Sequence, residues 1–391
     1  MKMTRRNWKL VVGILIGSIV IVAALILFTR SIPPFVPPAD RQISSWGTLD
    51  GETAQKLQAA LDEDVNLQKV PGFQASVHTA DGETWSGASG TTDLARKHPM
   101  QRDDVIRIGS TTKTFTAVLI LKLVEEGRLS LDDSIVKWFP TIPHAEAITV
   151  RQLLNHTSGI PEIIQKGLMK SVIPSTYWRR EELLQLIASQ KPFFKPGTKF
   201  EYSNANFILL GFILEDVTGK TALQLLHEQI LDPLSLKNTY FIPYEPAPAR
   251  LVTGFDRDLA KIPGMLDISP SNTSWATLAF TSGAMASNAD DLGVFFEDLF
   301  AGKLLSPAMV KEMETFFPAS NPGLDAQTGS GLGLMRFEVD GQELIGHVGE
   351  FMGSSSIAVY SPDKGYTIAI TCNLSYPDMT AVLAGLQEII K

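Results

Sequence analysis

Cysteine is nearly absent from this chain. One thiol, Cys372, in 391 residues rules out an internal disulfide framework. Its place in the strand-like run "YTIAITCN" marks it as a small buried apolar side chain. Histidine is scarce as well, and none of the six forms a metal motif such as H-E-x-x-H. Lysine and arginine number 34 against 42 acids, for a formal net charge of −8. With no basic patch carrying interleaved aromatics, that balance excludes a nucleic-acid binder. No serine has the G-x-S-x-G setting that an α/β-hydrolase nucleophile needs. "GSGLG" at Gly329 precedes a strand pattern rather than a helix, which is wrong for a dinucleotide loop. What the chain does have is a 44% hydrophobic composition, enough for a large core in one or two domains.

The first long feature is apolar. "LVVGILIGSIVIVAALILF", residues 10–28, carries no charge, and as a helix it would rise about 28 Å, the hydrocarbon thickness of a bilayer. Lys2, Arg5, Arg6 and Lys9 precede it, whereas only Arg30 and Arg41 follow closely. The asymmetry predicts a cytoplasmic tail at 1–9, an uncleaved transmembrane anchor at 10–28 and the remainder outside the cell membrane. "FTRSIPP" offers no small-x-small site for cleavage as a secretory signal. Four prolines in "RSIPPFVPPADRQ" stiffen residues 29–50 into a spacer.

Residues 51–391 form the globular part. "GETAQKLQAALDEDV" has helical spacing, and "GFQASVHTADGETWSGASG" reads as two strands turning at Asp81-Gly82. An amphipathic helix is predicted from Ser110, with Ala117, Val118, Leu121 and Val124 on one side. Helices and loops dominate the middle, a helical subdomain over roughly residues 130–290. The tail returns to strands in "LGLMRFEVDGQELIGHV", "SSSIAVYS" and "GYTIAITC", and closes with a helix from about Asp378. Strands at both ends with helices between predict an α+β fold, a mainly antiparallel sheet completed by distant segments.

Three short patterns carry chemistry. Ser110 and Lys113 are three residues apart, on one face of a helix. A serine at the helix start meets free N–H groups that favour developing negative charge, and a buried lysine there can become a neutral amine that accepts the hydroxyl proton. The spacing alone is common: Ser134–Lys137 and Ser361–Lys364 share it, in a short segment and in a turn. Tyr202-Ser203-Asn204 is the one Y-x-N; its phenol can relay protons more readily beside a cation, and its amide can hold a substrate carbonyl and the lysine together. His347-Val348-Gly349 forms the third, where a strand glycine admits close backbone approach. His156, in "LLNHTSGI", is read as locking a buried turn.

In that order, S-x-x-K, Y-x-N and [KH]-x-G resemble the serine β-lactamases and penicillin-binding proteins, nearest to the class C β-lactamase, DD-peptidase and related esterase branch. "LLNHTSGI" from Leu153, "SGAMASNADDLGVFF" from Ser282 and "GSGLGL" extend the resemblance over roughly residues 55–390. It implies a β-lactamase/transpeptidase-like fold and an acyl-enzyme on Ser110, with neither a metal nor an organic cofactor. Lys113 is then the base, Tyr202 the proton shuttle and Asn204 the group orienting substrate and Lys113. His347 takes the place of the strand lysine or histidine beside Gly349, and the N–H groups of Ser110 and Glu350 form the oxyanion hole. The implied partner is a small-molecule or peptide acyl donor, a peptidoglycan stem peptide among them. Where many members carry Lys-Thr-Gly or His-Thr-Gly, this chain has valine at 348 and glutamate at 350. Valine donates no hydrogen bond and an anion repels a carboxylate, so the expectation is DD-peptidase-like amide and ester hydrolysis with slow β-lactam turnover. A carboxylesterase or β-lactamase of the same fold, and a membrane-tethered penicillin sensor without turnover, are the alternatives.

Overall fold

The computed structural model describes residues 36, 47–95, 97–164, 166–167, 177–256, 272–321 and 326–391. The anchor expected at 10–28 lies outside the described residues, and no helix among them is long and apolar enough to cross a membrane.

The chain enters through helix α1, Gly51–Leu67, started by Asp50, whose carboxylate accepts from the N–H groups of Glu52 and Thr53 at 2.9 and 3.0 Å. Strands β1 (Gly72–His78) and β2 (Thr84–Gly90) then form the expected hairpin, with Gly82 at φ +85° in its turn. A short β3, Ile106–Arg107, leads into helix α2, Thr112–Glu125. Helix α3 (Val150–Leu154), α4 (Arg180–Ala188) and α5 (Asn204–Thr218) lie in the helical middle, before β4 (Tyr240–Phe241) and β5 (Met285–Ser287). Helix α6 is Ala289–Phe300. The remaining strands are β6 (Phe317–Pro318), β7 (Gln327–Ser330), β8 (Met335–Val339), β9 (Gln342–Phe351), β10 (Ser354–Tyr360) and β11 (Thr367–Cys372), closed by α7, Met379–Ile390.

Among the described residues, eight strands form one sheet in the order β2-β1-β11-β10-β9-β8-β7-β6, its neighbours all antiparallel. The first hairpin joins the last strand, Phe73 opposite Cys372, so distant segments do complete the sheet as expected. Both faces are covered. Leu57, Leu61 and Val65 of α1 with Val382, Leu383 and Leu386 of α7 pack against Phe73, Val77, Ile357 and Ile370. On the other side Phe115 of α2 and Leu292, Phe295 and Phe296 of α6 meet Ile345, Ala358 and Ala369. This explains why β1 is buried at every position rather than at alternate ones. Cys372 is a free, buried thiol.

One expectation needs correction. Helix α2 is not amphipathic: every residue from Thr112 to Leu121 is buried. A helix that is apolar all round belongs inside a fold, and α2 runs through the middle of this one, between the sheet and α5.

Candidate active site

Ser110 sits in a 3₁₀ turn, Gly109–Thr111, immediately before α2. Gly109 allows that turn by adopting φ +48°, and a Cβ there would meet the Glu350 carbonyl oxygen at 2.3 Å. Glu350 is on β9, so the turn that carries Ser110 is wedged against the strand. The serine is half-buried and caps nothing. Lys113, one turn on, is fully buried with its Nζ 3.0 Å from Ser110 Oγ. The same nitrogen donates to Asn204 Oδ1 and to the Ser282 carbonyl oxygen, both at 2.7 Å. Burial lowers the Lys113 pKa to about 7, opposed by the negative charge of Glu162. A neutral amine that points at a hydroxyl is a proton acceptor.

Tyr202 and Asn204 arrive on the approach to α5. The Lys113 nitrogen lies 4.8 Å from the Tyr202 ring centroid. The Tyr202 hydroxyl is buried and makes no hydrogen bond of ordinary length. Burial pushes its pKa well above the ordinary phenol value, with the nearby Ser110 hydroxyl tempering the rise and Glu162 adding to it. A phenolate favoured by a neighbouring cation is therefore not the resting state: desolvation keeps the phenol protonated while it drives Lys113 towards the neutral form.

His347 on β9 is buried, and its Nδ1 donates to the Val348 carbonyl oxygen at 2.6 Å. Burial and the Lys113 charge lower its pKa to about 3, so it brings an imidazole, not a cation, to the site. Gly349 also differs from expectation. A Cβ there would lie 1.9 Å from the Ile108 carbonyl oxygen and 2.9 Å from the Thr111 nitrogen, so the nucleophile's own turn takes the space expected to admit substrate. The edge of β9 is partly free. Pairing with β8 ends at Met335 opposite Gly346, and beyond it the strand has no β8 partner.

Side chains alternate across β9. Ile345 and Phe351 pack with the α2 cluster, whereas Leu344 and Val348 join the opposite one. Glu350 follows Val348: its Oε2 accepts from Ser355 Oγ at 2.7 Å and from the Tyr376 N–H at 3.2 Å. Both Val348 and Glu350 line a cavity of about 840 Å³ with Phe337, Tyr376 and Asp378.

The other S-x-x-K pairs are structural. Ser134 caps the single turn Ile135–Lys137, and Ser361 Oγ accepts from the Lys364 N–H in a tight bend. A Ser–His–Glu chain also exists on β1, with Ser76 Oγ 3.0 Å from His78 Nε2 and Glu297 Oε2 2.7 Å from Nδ1. Gly293 of α6 covers it so closely that a Cβ there would lie 2.6 Å from His78 Nε2. Paired with strands on both sides, β1 has no spare amides for an oxyanion.

One participant, Glu162, escaped the sequence reading, and a second, His156, is read there only as locking a buried turn. Glu162 takes both Asn204 N–H groups, backbone and side chain, at 2.7 and 2.9 Å, so a distant carboxylate, not the asparagine, caps α5. His156 stacks on Tyr202 with centroids 4.4 Å apart, while its Nδ1 accepts the Ser203 N–H at 3.2 Å. Both lie in the stretch beginning "LLNHTSGIPE", but only folding brings it under Tyr202.

The Beta-lactamase family profile matches residues 57–389. The chain belongs to the beta-lactamase family. Protein flp of Staphylococcus aureus (strain MW2) is 26% identical over 338 residues, 84% of this chain and 64% of that protein. Penicillin-binding protein 4* of Bacillus subtilis (strain 168) is 23% identical over 312 residues, 77% of this chain and 68% of that one. The family member thus spans somewhat under two thirds of the staphylococcal relative. Among solved structures, D-amino acid amidase from Ochrobactrum anthropi SV3, complexed with L-phenylalanine amide, superposes with a TM-score of 0.79. It is 29% identical, covering 87% of this chain and 99% of that one. A D-stereospecific amidohydrolase from Streptomyces sp. gives a TM-score of 0.71 at 31% identity, covering 84% of this chain and 96% of that one. The family and these neighbours make the chain a serine hydrolase of the β-lactamase and penicillin-binding-protein fold.

Proposed function

We propose that the chain hydrolyses D-configured amides and related esters through an acyl-enzyme on Ser110, a DD-peptidase-like activity. The observation that carries this reading is the Lys113 nitrogen, buried and 3.0 Å from the Ser110 hydroxyl. Ser110 Oγ attacks the substrate carbonyl carbon while Lys113 Nζ takes its proton. The backbone of Glu350 packs against Gly109, which supports the N–H groups of Ser110 and Glu350 as the donors to the developing oxyanion. The tetrahedral intermediate collapses as the C–N bond breaks, and the leaving amine takes a proton from the Tyr202 hydroxyl, which Lys113 replenishes. Water then attacks the acyl-Ser110 ester, giving up its proton to the same pair; the Oγ–C bond breaks, that proton returns to Ser110 Oγ and the acid is released. Asn204 holds Lys113, and the free edge of β9 receives the extended acyl donor by main-chain hydrogen bonds.

The D-amide preference draws on the two amidohydrolase neighbours. Val348 and Glu350 argue against a substrate carboxylate grip, and so against fast penicillin turnover. The apolar run at 10–28 supports a single-pass anchor in the cell membrane with the catalytic domain outside, where peptidoglycan stem peptides are accessible. Intact-mass spectrometry of the full chain tests the whole reading. D-phenylalanine amide, its L-isomer, a p-nitrophenyl ester, nitrocefin and a D-Ala-D-Ala peptide form the panel. Transient acyl-Ser110 with D-amide and ester, lost in Ser110→Ala, is expected; rapid nitrocefin turnover would replace it with a β-lactamase. A stable penicillin adduct without release would make it a sensor.

A further inference from the structure

Glu162 accepts four hydrogen bonds. Its Oε1 takes the N–H groups of Ile163 and Ile164 at 2.8 and 2.6 Å, and its Oε2 takes Asn204 N and Nδ2 at 2.7 and 2.9 Å. A carboxylate has about four lone-pair positions, so none is left for a substrate ammonium. Glu162 is a strut rather than a binding group. What it holds matters: Asn204 Oδ1 accepts from Lys113 Nζ at 2.7 Å. An asparagine amide can turn over with little steric change, exchanging its acceptor for a donor. An acceptor-only carboxylate on one side of Asn204 forbids that exchange, fixing Nδ2 towards itself and Oδ1 towards Lys113.

We propose that Glu162 is a positioning residue for the proton acceptor, locking the Asn204 amide onto Lys113 and holding a carboxylate behind that amide. This rests on the reading of Lys113 as the base that activates Ser110. The other titratable groups facing Lys113 are Tyr202 ahead of α5, His156 after α3 and His347 on β9. Burial keeps the two imidazoles uncharged by lowering their pKa values, and keeps the phenol protonated by raising its own. Glu162 is thus the anion that counters the desolvation of Lys113. Removing it should make Lys113 give up its proton at lower pH.

The test reads Lys113 directly, by NMR titration of its ¹³Cε resonance in the full chain, assigned with Lys113→Met. Glu162→Gln and Glu162→Ala are expected to lower the midpoint by about one pH unit, whereas Glu162→Asp, which keeps the charge, should hold it within a few tenths. The acid limb of Ser110 labelling by a fluorophosphonate should move with the midpoint. An unchanged midpoint in both neutral variants, or an equal fall in Glu162→Asp, overturns the proposal. A midpoint that shifts as expected in a protein whose Ser110 never labels would instead sink the hydrolase mechanism.

Discussion

Gly349 lies so close to Ile108 that a methyl group on it would come within 1.9 Å of the Ile108 carbonyl oxygen. The contact joins β9 to the turn that carries Ser110, and backbone on both sides leaves little room to yield. Gly349→Ala is expected to destabilise the fold by about 1–3 kcal/mol and to displace the nucleophile. Gly385 in α7 is the control, because a Cβ there meets nothing within 4 Å. Gly385→Ala should gain about 0.5–1 kcal/mol and keep full activity. Thermal melts and acylation rates of the two variants decide; equal behaviour would refute the wedge.

Lys113 links activity and stability to pH. Its pKa falls from 10.5 unfolded to about 7 folded, so between those values the unfolded chain binds more protons. Stability from this group therefore rises with pH through that window, by at most about 1.4 kcal/mol per unit, and its cost is fully present below about pH 7. Acylation should instead climb around pH 7, the folded value, where the amine becomes neutral. Lys113→Met removes the proton acceptor, and should flatten the stability slope and cut acylation at least 100-fold. Urea unfolding across pH checks the first; a slope unchanged in Lys113→Met would refute it.

His156 buttresses Tyr202. Burial holds its pKa well below the ordinary value, so the ring is a neutral stacking surface whose Nδ1 anchors Ser203. His156→Ala should leave Tyr202 loose and reduce kcat about 100-fold, the cost of small misplacement in a catalytic group, with KM changed much less. A rise in KM alone would show that His156 reads substrate instead.

Burial of its carboxyl end raises the Glu350 pKa to about 7, against the hydrogen bonds of Ser355 and Tyr376. Above that pH an anion stands beside the β9 edge. Glu350→Gln is expected to improve kcat/KM for carboxylate-bearing acyl donors while leaving neutral amides unaffected. Steady-state rates on paired charged and neutral substrates measure it. No difference between the pairs would remove charge as the reason for weak β-lactam recognition.

Local signals made several elements legible. Asp81-Gly82 and Asp340-Gly341 marked their hairpins because positive φ is cheap for glycine, and tolerable for Asp340 at φ +50°. Periodicity placed α1 and α7. It misjudged α2, because Thr112, Lys113, Thr114 and Thr116 are buried along with its apolar residues; Thr114 and Thr116 donate to the carbonyls of Gly333 and Thr281. Such long-range satisfaction leaves no mark within a short window of sequence.

The order of S-x-x-K, Y-x-N and H-x-G determined the family, since hydroxyl, amine and phenol are properties of residue type. Their protonation was not so determined. Lys113, Tyr202 and His347 have ordinary affinities for protons in an unfolded chain, and only burial beside one another reverses or exaggerates them. Tertiary structure likewise decided that Gly349 serves packing, and that Glu162 and His156 belong to the site. Desolvation and contact depend on what surrounds a group in space, and those neighbours come from segments far apart along the chain.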